Sequence, residues 1–255
     1  MALDIQTVPC LSDNYAYILR DAATGTVAIV DVPEAAPLIA ALDARGLDLD
    51  MILLTHHHDD HIQGVEELRS KYGCKVIGGK ADAHRLPTLD QAVEEGDTVT
   101  IGESEGHVLD VSGHTVGHIA FHFPDSDAVF SADSLMALGC GRLFEGDGPM
   151  MWASMQKFLN MPDSTIVYSG HEYTQSNAKF ALSIESDNHD LIARAARIDE
   201  ARQRNMPTVP SSLAEEKATN PFLRAHIASV KSAVGMSDAT DAEVFTEVRN
   251  RKDNF

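Results

Sequence analysis

The sequence predicts an α+β protein in which strands dominate the first part and helices close the chain. Three observations carry that prediction. Short β-like runs recur from Asp4 to about residue 170. Long helical patterns with charged outer faces take over from Ser176. Within the first part, histidine and aspartate fall repeatedly at the ends of the expected strands. A run of strands followed by a run of helices is the pattern of an α+β chain or of two packed domains. A sheet-rich domain is therefore placed at 1–170 and a helical one at 171–255.

The elements follow in order. Asp4–Pro9, Tyr15–Arg20 and Thr26–Asp31 are β-like and are broken by Ser12-Asp13-Asn14 and Ala23-Thr24-Gly25. Glu34–Arg45 has helical apolar spacing and ends at Gly46. Met51–Leu54 is a short apolar run, as expected of a buried strand. Ile62–Tyr72 reads as a helix stopped by Gly73, and Val76–Gly78 as a brief strand. Thr98–Ile101, His107–Val111, Ala120–Phe123 and Ala128–Ala132 have the spacing of sheet strands, and Thr165–Ser169 reads as the last one. Ser176–Glu185 and His189–Asn205 are helical, and Met206-Pro207-Thr208-Val209-Pro210 interrupts them. A Ser-capped helix begins at Ser211-Ser212, and Asp241–Lys252 forms a final helix with acid at its start and base in its last turn.

Composition narrows the function. The chain has 255 residues, of which 20 are Lys or Arg and 39 Asp or Glu, for a formal charge of −19. Such a chain repels phosphate backbones, so no nucleic-acid partner is expected. No apolar run approaches the roughly 20 residues that span a bilayer, so no membrane partner is expected either. The start, Met1-Ala2-Leu3-Asp4, has no basic leader, and three widely spaced cysteines do not suggest a disulfide framework. A cytoplasmic protein acting as a monomer is the expectation. Twelve histidines are many for so acidic a chain.

Their placement is informative. Thr55-His56-His57-His58-Asp59-Asp60-His61 directly follows the Met51–Leu54 run. Side chains two apart on an extended segment share a face, so His56 and His58 can converge, with Asp60 and His61 beside them. Imidazole and carboxylate are the donors that hold zinc, iron or manganese in hydrolytic sites. His57 and Asp59 point elsewhere by the same alternation. Three further strand ends carry His114 in Gly113-His114-Thr115-Val116-Gly117-His118, Asp133, and His171 in Gly170-His171-Glu172-Tyr173. Each alone reads as a turn residue; together they repeat one arrangement, a ligand-type side chain at a strand end.

This set of residues resembles the metal pattern of the metallo-β-lactamase superfamily. The resemblance implies a four-layer αββα sandwich followed by the helical domain. It implies two divalent ions, with zinc expected and iron or manganese suited to the same donors. His56, His58 and His114 would hold one ion, and Asp60, His61 and His171 the other, with Asp133 bridging. His118 would be a supporting residue.

Four further segments resemble the glyoxalase II family: Gly139–Gly146, Gly170–Thr174, Asn220-Pro221-Phe222-Leu223-Arg224, and the ending Arg249–Phe255. That likeness implies hydrolysis of the thioester S-D-lactoylglutathione to D-lactate and glutathione by metal-activated water, with Asp60 orienting that water. It implies substrate contacts from Arg142, Phe144, Tyr173, Arg249 and Lys252, the last two on the glycine carboxylate of glutathione. Arg142 stands where the family commonly has Lys, and Phe144 where Tyr is frequent. The alternatives within the superfamily are a mononuclear iron dioxygenase acting on glutathione persulfide, and a lactonase.

Overall fold

The computed structural model describes residues 2–255, which divide into two compact units. One runs to Asp110 and includes Gly117–Ser131; the other comprises Val111–Val116 and Ala132–Phe255.

The first unit contains a six-stranded sheet of β1 (Asp4–Cys10), β2 (Asn14–Arg20), β3 (Val27–Val30), β4 (Met51–Leu54), β5 (Lys75–Gly79) and β6 (Gln91–Val93), in that spatial order. The β1–β2–β3 meander is antiparallel, whereas β3 to β6 are parallel. Parallel strands are covered on both faces and need continuous apolar runs. Val27–Val30 and Ile52–Leu54 are accordingly buried throughout. Helices α1 (Ala35–Arg45), α2 (Asp59–Ile62) and α3 (Val65–Tyr72) follow β3 and β4. Leu38 and Leu42 of α1 and Val65 and Leu68 of α3 share one core cluster with Ile18, Ile29, Ile52, Leu54 and Val76. The unit also holds an antiparallel array, β7 (Thr98–Ile101), β8 (Ser104–Asp110), β9 (Ile119–Phe123) and β10 (Ala128–Ala132).

The second unit is mostly helical. It has the short pair β11 (Leu135–Met136) and β12 (Gly139–Cys140), then α4 (Gly148–Leu159), β13 (Ile166–Ser169), α5 (Thr174–Ile184), α6 (His189–Gln203), β14 (Ser211–Ser212), α7 (Leu213–Thr219), α8 (Ala228–Ala233) and α9 (Asp241–Asp253). Helix α4 packs on α9, and α5 on α6. Among the described residues, no helix is long and apolar enough to cross a membrane.

Most expected elements lie within a few residues of their places; two differ, and some elements, α4 among them, lie outside the expectation. The helix after the histidine run begins at Asp59 and breaks at Gln63-Gly64. Gly64 causes the break, because its backbone lies against Val32 and Ala35 so closely that a Cβ would meet both at 2.7 Å. Thr165–Ser169 is not the last strand, since Ser211 and Ser212 pair antiparallel to it. Two polar residues carry no hydrophobic signal. Helix α4 was not expected, although Asp147 caps it by accepting from Met150 N–H and Pro149 sits in its first turn.

Candidate metal centre

Each unit brings together a group of donor side chains. In the first, the group is built at the carboxyl ends of two adjacent parallel strands, where open α/β sheets bind ligands. Val30 of β3 pairs with Leu53 of β4, so Asp31 leaves the sheet beside Leu54, one residue short of Thr55. Asp31 takes a left-handed conformation (φ 56°) and turns its carboxylate across to the neighbouring strand end. One oxygen accepts from Thr55 N–H (2.9 Å), and the other faces Thr55 Oγ1 (2.7 Å) and His61 Nδ1 (2.8 Å).

A carboxylate only accepts, so this network fixes the protons. His61 Nδ1 and Thr55 Oγ1 both donate to Asp31. The Thr55 oxygen then accepts from His56 Nδ1, 3.0 Å away. Both imidazoles therefore carry their proton on Nδ1 and present the Nε2 lone pair, the form that ligates a metal. His56 and His61 are fully buried with ring centroids 4.2 Å apart. His58 is half-buried, its ring edge-on to His56 at 4.8 Å. Asn14 Nδ2 donates to the backbone oxygen of Asp60 (3.0 Å) and to its carboxylate (3.1 Å), holding a half-exposed side chain. One Asp60 oxygen lies 3.9 Å from His61 Nε2.

His57, which alternation set aside, has a partner elsewhere. His57 Nδ1 meets Asp82 at 3.1 Å, and Asp82 also binds Arg85. His118 stacks on His56 at 4.5 Å and bonds the Ile119 carbonyl through Nδ1, which makes it a support for that ring. Gly117 is required here, because a Cβ would meet the Asp82 carboxyl carbon at 2.2 Å.

In the second unit, Asp133 sits between two imidazoles, 3.5 Å from His114 Nε2 and 3.3 Å from His171 Nε2. All three are buried. His114 Nδ1 donates to the Arg142 carbonyl at 2.7 Å, so its Nε2 also carries the lone pair. The His171 ring lies parallel to Tyr173 at 4.6 Å. Asp133 follows Ala132, whose φ of 41° is unusual for a residue with a side chain and redirects the strand end. Gly141 passes so close that a Cβ would meet the Asp133 carbonyl at 2.1 Å and His114 Nδ1 at 2.8 Å. The donor chemistry of both groups, oriented Nε2 atoms beside carboxylates, fits divalent cations.

The expected substrate residues also lie in the second unit. Arg142 and Phe144 are exposed, and Phe144 meets His114 edge-on at 5.3 Å. Tyr173 is exposed beside His171. Arg249 is buried; its guanidinium donates to the Cys140 carbonyl (3.0 Å) and to Asp253 (2.8 Å) and lies 5.1 Å over the Phe222 ring. Lys252 lies over Phe180 with 3.4 Å contacts to Ser176. Burial, and after it the charge of Arg249, lowers the Lys252 pKa. Burial pushes the Cys140 thiol up to about 11, so it is a thiol at neutral pH.

The Asn220–Arg224 segment has a structural role. Asn220 Nδ2 donates to the Met136 and Gly139 carbonyls and to Glu216, whose carboxylate also accepts from Leu138 N–H. The β11–β12 turn that leads into Arg142 and Phe144 is thereby fixed from below.

Asp31, Thr55, Asn14 and the Arg142 carbonyl were not singled out in the sequence. Asp31 left a trace as an aspartate ending a predicted strand, Thr55 as the first residue of the histidine run and Asn14 in a predicted turn. The partner of Asp31 lies thirty residues further on, and strand order is what joins them.

Two family profiles divide the chain. One, described as metallo-beta-lactamase superfamily, covers residues 12–171, and the other, hydroxyacylglutathione hydrolase C-terminus, covers 172–255. Curated relatives named hydroxyacylglutathione hydrolase include those of Ruegeria pomeroyi, 61% identical, and Cereibacter sphaeroides, 60% identical, each over 255 residues and all of both chains. ETHE1 from Myxococcus xanthus has a similar fold (TM-score 0.69, 24% identity, 98% of this chain and 90% of that one). TTHA1623, crystallised in a di-iron-bound form, aligns with a TM-score of 0.63 at 25% identity, over 86% of this chain and 100% of that one.

Proposed function

The chain belongs to the hydroxyacylglutathione hydrolase family of the metallo-beta-lactamase superfamily, and from this we propose that it cleaves S-D-lactoylglutathione to D-lactate and glutathione as a binuclear metal-dependent thioester hydrolase. His56, His58 and His114 would hold one ion and Asp60, His61 and His171 the second, with Asp133 contributing to both. The Nδ1 anchoring of His56, His61 and His114 supports this assignment. Zinc is the expected element in this reading, with iron or manganese suited to the same donors; a similar protein crystallised with two irons supports the count. Bound divalent ions supply Lewis acidity for the thioester carbonyl and bring the pKa of water down to about 7.

The chain's own groups do the rest. Asp60, steadied by Asn14, orients the attacking water. Tyr173 and Phe144 flank His171 and His114 and line the approach for the peptide part of the substrate. Arg249 and Lys252 hold the glycine carboxylate of glutathione, to which guanidinium and ammonium groups are matched, and Arg142 is a further substrate contact. Thiolate leaves readily, so no strong general acid is needed, and Cys140 is too basic and too buried to act as a nucleophile. Residues 1–170 form the catalytic domain and 171–255 the glutathione-holding domain, a division that the family boundary at 171/172 supports. The protein works as a cytoplasmic monomer in this reading.

The observation that carries the reading is the full-length match, C-terminal segment included. The test is steady-state hydrolysis of S-D-lactoylglutathione with metal analysis of the same preparation. Turnover should vanish on chelation and return with zinc. A fully metal-loaded protein that hydrolyses nothing, and instead consumes oxygen with glutathione persulfide, refutes it.

A further inference from the structure

The cations assigned to glutathione already hold a carboxylate from the chain itself. Asp253 ends α9, and one of its oxygens lies 2.8 Å from Arg249 Nη2 and 3.4 Å from Arg142 Nε. These two arginines come from distant parts of the sequence, one in the turn after β12 and one on α9. Lys252 lies next to Asp253 and feels both Arg249 and Asp253 electrostatically. Two guanidinium groups thus hold a single side-chain carboxylate, with the Lys252 ammonium within its field.

We propose that Asp253 is a specificity-determining residue, an internal carboxylate that occupies the cation cluster and that the substrate's own carboxylate must displace. This rests on the hydroxyacylglutathione hydrolase reading for the identity of the ligand. The geometry suits displacement rather than a permanent brace. Arg249 keeps a second anchor on the Cys140 carbonyl when Asp253 leaves, so its guanidinium stays in place. The Arg142 side chain is 59% exposed and the Asp253 side chain 32%, so water can take over both as they part. The Arg142 arm, so open to solvent, is weak, and on the buried Arg249 a ligand carboxylate replaces that of Asp253 like for like. A ligand without a carboxylate there gains nothing from the exchange. The pair therefore selects for thioesters whose thiol part ends in an anion.

The test uses the full-length, zinc-loaded protein and its Asp253→Asn variant, which removes the charge and keeps the side-chain shape. Binding of S-methylglutathione is measured by calorimetry beside S-methyl-γ-glutamylcysteine, which lacks the glycine and with it that carboxylate's position. Kd for S-methylglutathione should fall about two- to fivefold in the variant, the span of a partly exposed ion pair. Kd for the shorter ligand should not change, and the gain should shrink in high salt. In turnover, KM for S-D-lactoylglutathione should fall by the same factor with kcat unchanged. Asp253→Glu, which retains the charge, should behave as the parent. Weaker binding by Asp253→Asn, or equal tightening for both ligands, overturns the proposal and makes Asp253 a brace. Loss of turnover in the parent protein would instead refute the assigned activity, and the calorimetric comparison decides the role of Asp253 in either case.

Discussion

Replacing Asp31 by Asn tests the donor network at its root. The change swaps one carboxylate oxygen for an NH2 group and leaves the shape intact. Asn is also among the few residues that accept the left-handed backbone found at this position, so no strain is added. Thr55 N–H must keep an acceptor, which places the amide oxygen at its 2.9 Å contact and turns the NH2 toward Thr55 Oγ1 and His61 Nδ1. Both contacts now receive a proton instead of giving one. His61 must carry its own proton on Nε2, and Thr55 Oγ1 must donate to His56 Nδ1, which moves the His56 proton to Nε2 as well. One atom thus inverts two tautomers and blocks two ligand nitrogens. Loss of a single orienting partner costs about 10–100-fold in metal affinity, or about 1.4–2.7 kcal/mol, and two coupled histidines place the effect at the upper end. The assay is competition for zinc with a chromophoric chelator, paired with histidine 15N shifts that report which nitrogen is protonated. The metal-free proteins should melt within a few degrees of each other, since all hydrogen bonds are replaced in kind. An Asp31→Asn protein that binds zinc within twofold of the parent, with Nδ1 still protonated, refutes the reasoning.

Other perturbations probe separate parts of the chain. Gly141→Ala puts a methyl group 2.1 Å from the Asp133 carbonyl, so the chain must yield by about 0.9 Å to reach even a 3.0 Å contact; overpacking of this kind costs about 1–3 kcal/mol, and both the melting temperature and the zinc content should fall. Asn220→Ala strips donors from the Met136 and Gly139 carbonyls and should cost about 2–3 kcal/mol, read as a lower denaturant midpoint with KM raised more than kcat is lowered. Cys140, with its thiol pushed up to about 11, should resist iodoacetamide in the folded protein at pH 8 and react at once in urea, as mass spectrometry of the labelled peptide will record.

The parts of this protein that were legible in its sequence are those encoded locally. The Thr55–His61 run announces itself because its ligands share one short segment and alternate as an extended chain does. Gly46 and Gly73 end helices where they were expected to, each in the left-handed conformation. Legibility fails where a residue acts through a partner far along the chain. Asp31 matters because β3 and β4 are adjacent and parallel, and no local pattern states that adjacency. Arg249 reads as a free cation on a helix end, yet it is buried against Cys140 and Phe222. The Asn220–Arg224 segment could be matched to a family without a reason for its residues. The reason appears once Asn220 is seen to hold the carbonyls of a turn some eighty residues earlier.

The two donor groups are held by different means, and this sets how each responds to change. In the first unit His56, His58, Asp60 and His61 come from one continuous segment, and their aim is set by polar contacts from Asp31, Thr55 and Asn14. Substitutions that alter hydrogen-bond polarity while keeping volume should therefore damage this group most and leave the fold standing. In the second unit His114, Asp133 and His171 come from three separate segments. Their approach depends on backbone that only small residues or unusual torsions permit, at Gly113 (φ 147°), Ala132 (φ 41°) and Gly141. Added volume there displaces whole segments, so metal affinity and stability should fall together. Asp31→Asn and Gly141→Ala are the matched pair that separates the two cases. The first predicts a metal-poor protein of nearly normal melting temperature, and the second a protein deficient in both. If both variants lost metal and stability in proportion, the distinction between polar aiming and steric aiming would have no physical content.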